Sequence, residues 1–178
     1  YDKALSLDSA NWGAWTNKGN SLAKLGKDEE TIVCYSQAIR LNPEDLRAWS
    51  NKGFALNKLE RYEESIRCYN QVIRFNPKDH NAWFSRGNAL ASLRKYDESI
   101  ACYDKALSLD SEDLRALFNK GNALANLKKF EESIECFDKV IKKNPEYPSA
   151  LRYKGVALKK LGRDEEAEYC FTKDKESE

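Results

Sequence analysis

The chain has 178 residues, 33% charged and 41% hydrophobic, and its 30 Lys and Arg against 29 Asp and Glu leave a formal net charge of +1. That balance excludes a protein that holds nucleic acid by bulk positive charge, and it excludes an acidic disordered tail. Mean hydropathy is −0.77 and no apolar run approaches the roughly 18 residues of a bilayer span, so no membrane segment is expected.

The chain begins at Tyr1 without the charged and apolar regions of a secretory signal, and it contains no Met. A processed or excised chain, with upstream repeats removed, is therefore expected. Tyr1–Ser9 reads YDKALSLDS, identical to Tyr103–Ser111. Residues 1–11 are thus predicted to be the second helix of a truncated repeat. Next, Trp12–Leu25 predicts an amphipathic helix. At about 100° per residue, Trp15, Gly19, Leu22 and Leu25 gather on one side, and Gly13, Thr16, Asn17, Asn20 and Lys24 on the other. Gly26 suits a tight link. A second helix is predicted over Glu29–Leu41. Thr31, Tyr35 and Ala38 share its face, flanked by Ile32 and Ile39 on one side and by Cys34 and Leu41 on the other. So wide an apolar arc requires burial against more than one neighbour. Asn42-Pro43 closes it, because proline cannot continue a helix.

From here the pattern recurs in steps of 34 residues, as Cys34, Cys68, Cys102, Cys136 and Cys170 show most plainly. Gly19, Gly53, Gly87, Gly121 and Gly155 keep the same step, and so do Leu22, Leu56, Leu90, Leu124 and Leu158. The repeats are predicted at 12–45, 46–79, 80–113, 114–147 and 148–178. Paired acids, Glu29-Glu30 to Glu165-Glu166, open each second helix and complement its dipole. In the last repeat Glu168, Asp174 and Lys175 replace Ile32, Ala38 and Ile39. Those charges mark a capping repeat, with a tail at 174–178 expected to fray. No alternating β-branched run predicts a strand.

Trp15-x-x-Lys18-Gly19-x-x-Leu22, Thr31-x-x-x-Tyr35 and Pro43 resemble the tetratricopeptide repeat, and Trp49, Gly53, Tyr69 and Pro77 repeat the likeness. So do Trp83, Gly87 and Tyr103, with Ser111 where Pro is usual, then Gly121, Phe137 and Pro145, then Gly155 and Phe171. The resemblance implies an all-α, right-handed superhelical solenoid of antiparallel helix-turn-helix repeats. It also implies a non-catalytic protein–protein interaction scaffold whose first helices line a concave groove for an extended peptide. One departure is consistent: Lys18, Lys52, Arg86, Lys120 and Lys154 stand where the family has Leu. Their stems are expected to pack and their charges to reach solvent. Some members grip a peptide's terminal carboxylate. Here Thr16, Asn81 and Ser85 stand where those members have cations, and only Asn20 and Asn51 match, so no such clamp is expected.

On the face opposite the core, Asn17, Asn20, Asn51, Asn81, Asn88, Asn119 and Asn122 recur, although Asn is a poor helix former. An amide both donates and accepts, which suits the backbone of an extended peptide. Phe54, Phe84 and Phe118 are expected to supply apolar contact, and Arg47, Arg115 and Arg152 to pair with carboxylates. Phosphate loops, nucleophile elbows and clustered metal ligands do not occur in the sequence, so no enzyme, cofactor or metal site is expected. Five thiols too far apart to bridge are expected to be buried and reduced, in a cytoplasmic protein. Two other readings follow. Arg47, Arg115, Phe84 and Phe118 offer phosphate and base contacts to single-stranded RNA, but the charge balance weighs against a nucleic-acid partner. Alternatively, the chain forms a homo-oligomer through the uncovered apolar side of Tyr1, Ala4, Leu5 and Leu7.

Overall fold

The computed structural model describes residues 8–147 and 149–176, and among them it contains ten α-helices and no strand. They are α1 (Trp12–Lys24), α2 (Asp28–Leu41), α3 (Leu46–Lys58), α4 (Tyr62–Phe75), α5 (His80–Ser92), α6 (Tyr96–Leu109), α7 (Leu114–Asn126), α8 (Phe130–Lys143), α9 (Ala150–Lys160) and α10 (Asp164–Glu176). Odd-numbered helices are the predicted first helices and even-numbered ones the second. The chain divides into two compact units at residue 93. In the first, α1 to α5 each pack on the next; in the second, α6 to α10 do the same. The all-α helix-turn-helix class holds throughout. The orphan helix expected at 1–11 falls mostly outside the described residues, and only a turn at Ser9–Ala10 is seen before α1. Helical backbone continues to Glu176, inside the stretch expected to fray.

Within each unit, helix pairs are set by a ring against a glycine. A Cβ added to Gly19 would lie 2.6 Å from the Tyr35 ring, and one on Gly121 would lie 2.9 Å from Phe137. Gly53 meets Tyr69 at 3.0 Å and Gly155 meets Phe171 at 2.6 Å. The ring therefore occupies the space that a side chain on the first helix would need. Around these contacts the cores are built from Ile32, Ala55, Leu56 and Cys68 in the first unit. In the second they include Leu117, Leu124, Cys136 and Val140. All five cysteines are buried thiols outside any disulfide.

The ends of the first helices show what the periodic pattern leaves out. Asn11, Asp45, Asp79 and Asp113 are N-caps, also 34 residues apart. Their side chains accept from Ala14 N at 2.9 Å, Ala48 N at 3.3 Å, Ala82 N at 2.9 Å and Ala116 N at 3.3 Å. At α9 Tyr147 takes the cap's place, and Ser149 begins the helix in a left-handed conformation with no side-chain cap. The indoles of Trp15, Trp49 and Trp83 donate to the carbonyls of Ser9, Pro43 and Pro77 at 3.0, 2.8 and 3.0 Å, tying each first helix to the loop before it. Thr16, expected on the polar stripe, is instead buried: its hydroxyl donates to Asp45 at 2.9 Å. The column before the glycines is half-buried, as packed stems require, but four of its five charges meet a partner instead of reaching solvent alone. Lys120 and Lys154 reach Asp104 and Asp138 at 2.6 and 2.5 Å, while Lys18 and Arg86 lie over Trp15 and Trp83.

The link after each first helix needs one residue of positive φ. Gly26 and Gly162 supply it at 71° and 73°, but Glu60, Arg94 and Lys128 hold the same place at 58°, 61° and 63°. A side chain is strained there. In urea denaturation, Glu60→Gly is expected to stabilise by about 0.5–1 kcal/mol. Gly19→Ala is expected to destabilise by about 1–3 kcal/mol, and a neutral result would mean that the ring does not fix the helix spacing.

Candidate functional site

In the first unit, the exposed sides of α1 and α3 meet over a polar floor. Asn20 Oδ1 accepts from the Tyr35 hydroxyl at 2.8 Å and from Asn51 Nδ2 at 2.9 Å. One carbonyl thus joins α1, α2 and α3. Its use inside the fold leaves the Asn20 NH2 group and the Asn51 carbonyl for a ligand. Ala23, Lys24, Phe54, Ala55 and Lys58 complete a cavity of about 420 Å³ above these amides. Phe54 is 63% exposed at its edge. Lys58 is engaged, with Nζ 2.8 and 2.9 Å from the two oxygens of Asp28.

The other predicted residues of this unit are more scattered. Asn17, Arg47 and Asn81 are exposed, with Arg47 Nε 3.9 Å from the cap Asp45. Phe84 and Asn88 are half-buried on α5. Ser85, also on α5, hydrogen-bonds the Tyr69 hydroxyl; burial dominates that phenol and pushes its pKa up to about 12.

In the second unit, α7 and α9 form the corresponding surface. Asn122, Ala125, Asn126, Lys128, Phe130, Tyr153, Val156, Ala157 and Lys160 line a cavity of about 550 Å³. Most are the three-repeat counterparts of the first cavity's lining. Phe130 now stands in the place of Asp28, Phe137 in the place of Tyr35, and Tyr153 in the place of Asn51. With neither the hydroxyl nor the amide donor present, the buried Asn122 Oδ1 has no hydrogen-bond partner. Tyr153 and Val156 are 44% and 48% exposed.

Two residues expected to face a ligand are drawn into the scaffold here. Arg115 clasps its own cap, with Nε 3.1 Å and Nη2 3.0 Å from Asp113. Burial opposes ionisation of Asp113, but the Arg115 side chain and the amides of Ala116 and Arg115 outweigh it and hold the carboxyl below its ordinary range. Phe118 packs in an aromatic cluster, its centroid 5.6 Å from Phe137, 5.2 Å from Tyr147 and 5.2 Å from Tyr153. The half-buried Asn119 is its neighbour on α7. Arg152 is exposed on α9, beside a separate cavity that also takes in Lys159 and Phe171. Among the described residues, no group of His, Cys, Asp and Glu is placed to hold a metal ion, and no helix is long and apolar enough to cross a membrane.

Burial also governs the thiols. It pushes Cys68 up to about 11, and it raises Cys136 and Cys170 as well. The neutral thiol, not the thiolate, is therefore stored in the fold. Native protein at pH 8 is expected to react slowly with a disulfide reagent, and unfolded protein quickly. The raised Cys68 value makes its contribution full below the ordinary thiol value of 9.0, with loss as pH climbs toward about 11. A fast-reacting native thiol at Cys68 would contradict this.

A family model described as tetratricopeptide repeat matches residues 13–45, 46–79, 80–113 and 114–147. Solved structures agree in fold. The crystal structure of MamA protein superposes with a TM-score of 0.88 at 17% identity, over 93% of this chain and 91% of that one. MamA 41-end from Desulfovibrio magneticus RS-1 gives 0.90 at 21%, over 96% and 95%. YrrB, described as a TPR protein with an unusual peptide-binding site, gives 0.84 at 21%, over 99% and 91%. At these identities the likeness shows the fold alone. No curated protein sequence matches the chain.

Proposed function

Because the chain belongs to the tetratricopeptide repeat family, whose fold serves as a protein–protein interaction scaffold, we propose that it binds an extended peptide or protein segment along the exposed sides of its first helices, without catalysis. The observation that carries this reading is the recurrence of one surface. In each unit a half-buried asparagine floors a cavity rimmed by exposed apolar side chains and lysines. Amides address the N–H and C=O groups of any extended chain, and apolar side chains at the rim take its residues. Asn20, Asn51 and Phe54 act this way in the first unit, with Asn17, Arg47, Asn81, Phe84 and Asn88 beside them. In the second unit Asn122 is the counterpart, with Asn119 and Arg152 near it. Arg115 and Phe118 shape the surface more than they touch a ligand, since both are held by the fold. The description of YrrB as a peptide-binding protein supports the same reading. Buried, protonated thiols suit a reducing, cytoplasmic setting. Self-association through residues 1–7 concerns a segment outside the described residues.

Peptides selected by display against the intact chain test this. Asn51→Ala combined with Phe54→Ala is expected to weaken a selected peptide by about tenfold or more in calorimetry, with an unchanged circular dichroism spectrum. Failure to select any peptide, or equal affinity across mutants of both cavities, would reject the scaffold reading.

A further inference from the structure

The two cavities occupy matching columns, yet their chemistry has diverged in one direction. In the first unit two of the polar groups are answered internally, although among the described residues Lys24 is not: Asp28 holds Lys58, and Tyr35 and Asn51 hold the Asn20 carbonyl. In the second unit each of these partners is replaced by an aromatic residue, at Phe130, Phe137 and Tyr153. Among the described residues Lys160 is left without a carboxylate, and Asn122 Oδ1 without a donor. Lys128 adds a second cation at the cavity edge, on the turn held at a φ of 63°. No carboxylate lines this cavity. Its rim is apolar and open, with Tyr153 44% and Val156 48% exposed.

We propose that the cavity between α7 and α9 is a subsite for an acidic, aromatic-bearing peptide segment. It would seat a large apolar side chain between two Asp or Glu residues of a partner protein. Lys128 and Lys160 take the carboxylates, which are side chains rather than a chain terminus. Phe130, Tyr153 and Val156 take the apolar side chain. Asn122, on the cavity floor, is the amide offered to the peptide backbone. Charge complementarity selects the occupant. Two unanswered cations beside an apolar wall favour an anionic apolar ligand, and they disfavour a basic one by like-charge repulsion. The first cavity, with Lys58 neutralised by Asp28 and only Lys24 left as a cation beside that carboxylate, has a weaker preference of this kind. This inference rests on the peptide-scaffold reading above and adds sequence preference to one of its two surfaces.

Fluorescence anisotropy at low salt, with the full chain, separates the two. The probes are ten-residue peptides carrying Glu-Phe-Glu in a Gly-Ser background, with Gln-Phe-Gln, Lys-Phe-Lys and Glu-Gly-Glu counterparts, and a ten-nucleotide oligouridine. Glu-Phe-Glu is expected to bind best, by about tenfold over Gln-Phe-Gln and Glu-Gly-Glu. Lys128→Gln combined with Lys160→Gln, both at exposed side chains, is expected to erase the acidic preference, while Lys58→Gln leaves it unchanged. The preference is also expected to shrink as salt rises. Equal binding of the Glu and Gln peptides, or a preference untouched by the double lysine change, overturns the subsite and leaves the scaffold reading standing. Absence of binding by every peptide overturns the subsite, the display selection deciding the scaffold reading separately, and tighter binding of the oligouridine replaces both with a nucleic-acid ligand.

Discussion

Everything else in the structure depends on the aromatic ring of a second helix packed against the glycine of the first helix before it. At Gly19 and Gly155 a single added carbon would come within 2.6 Å of the ring. The separation of the two helices, and hence the stacking of the repeat, is fixed by the absence of a side chain at one position and the presence of a ring at another. The same ring reaches further. Its outer edge emerges at the floor of the exposed surface, where the Tyr35 hydroxyl meets Asn20. A core contact therefore sets the chemistry of the outer face. At Tyr35 the neighbouring Asn20 carbonyl is answered from within; at Phe137 the Asn122 carbonyl is not.

The remaining devices hold the first helices at the angle this contact requires. Aspartates cap their N-termini, indoles anchor them to the preceding loops, and a left-handed residue turns the chain at their C-termini. Lysines and an arginine before the glycines take either an acidic partner or a tryptophan face. These devices recur in most repeats, and α9, with no side-chain cap, and α7, with Leu117 in the tryptophan column, depart from them. The differences between copies then carry the individuality of the chain. Tyr147 in the cap column and Phe130 in the Asp28 column both fall in the second unit, and Phe130 leaves its cavity without the carboxylate that Asp28 gives the first.

Much of this is legible in the sequence because it is periodic. The step of 34 residues places helices, links and buried thiols before any coordinates are known. The Asp45 and Asp113 caps follow the same period and were open to the same reading, but a short polar residue before a helix is a weak signal beside a tryptophan column. Thr16 and Phe118 were not legible, for a different reason. A helical wheel assigns faces relative to one axis, whereas each helix here is packed on more than one side. Thr16 turns toward Asp45, the cap of α3, and Phe118 toward Phe137, Tyr147 and Tyr153. Glu60, Arg94 and Lys128 hide their positive φ because nothing in their chemistry announces it. The asparagine column was visible, but not that half of Asn20 is spent inside the fold.

The central claim is that the odd-numbered helices carry the ligand and that the repeat's internal contacts decide what they offer it. Nuclear magnetic resonance of the labelled chain, titrated with the Glu-Phe-Glu peptide, addresses that claim directly. The account predicts that shift changes concentrate on α7 and α9, at the side-chain amides of Asn122 and Asn126 and the backbone of Val156 and Lys160. Changes confined to the acidic outer sides of α8 and α10 would contradict it.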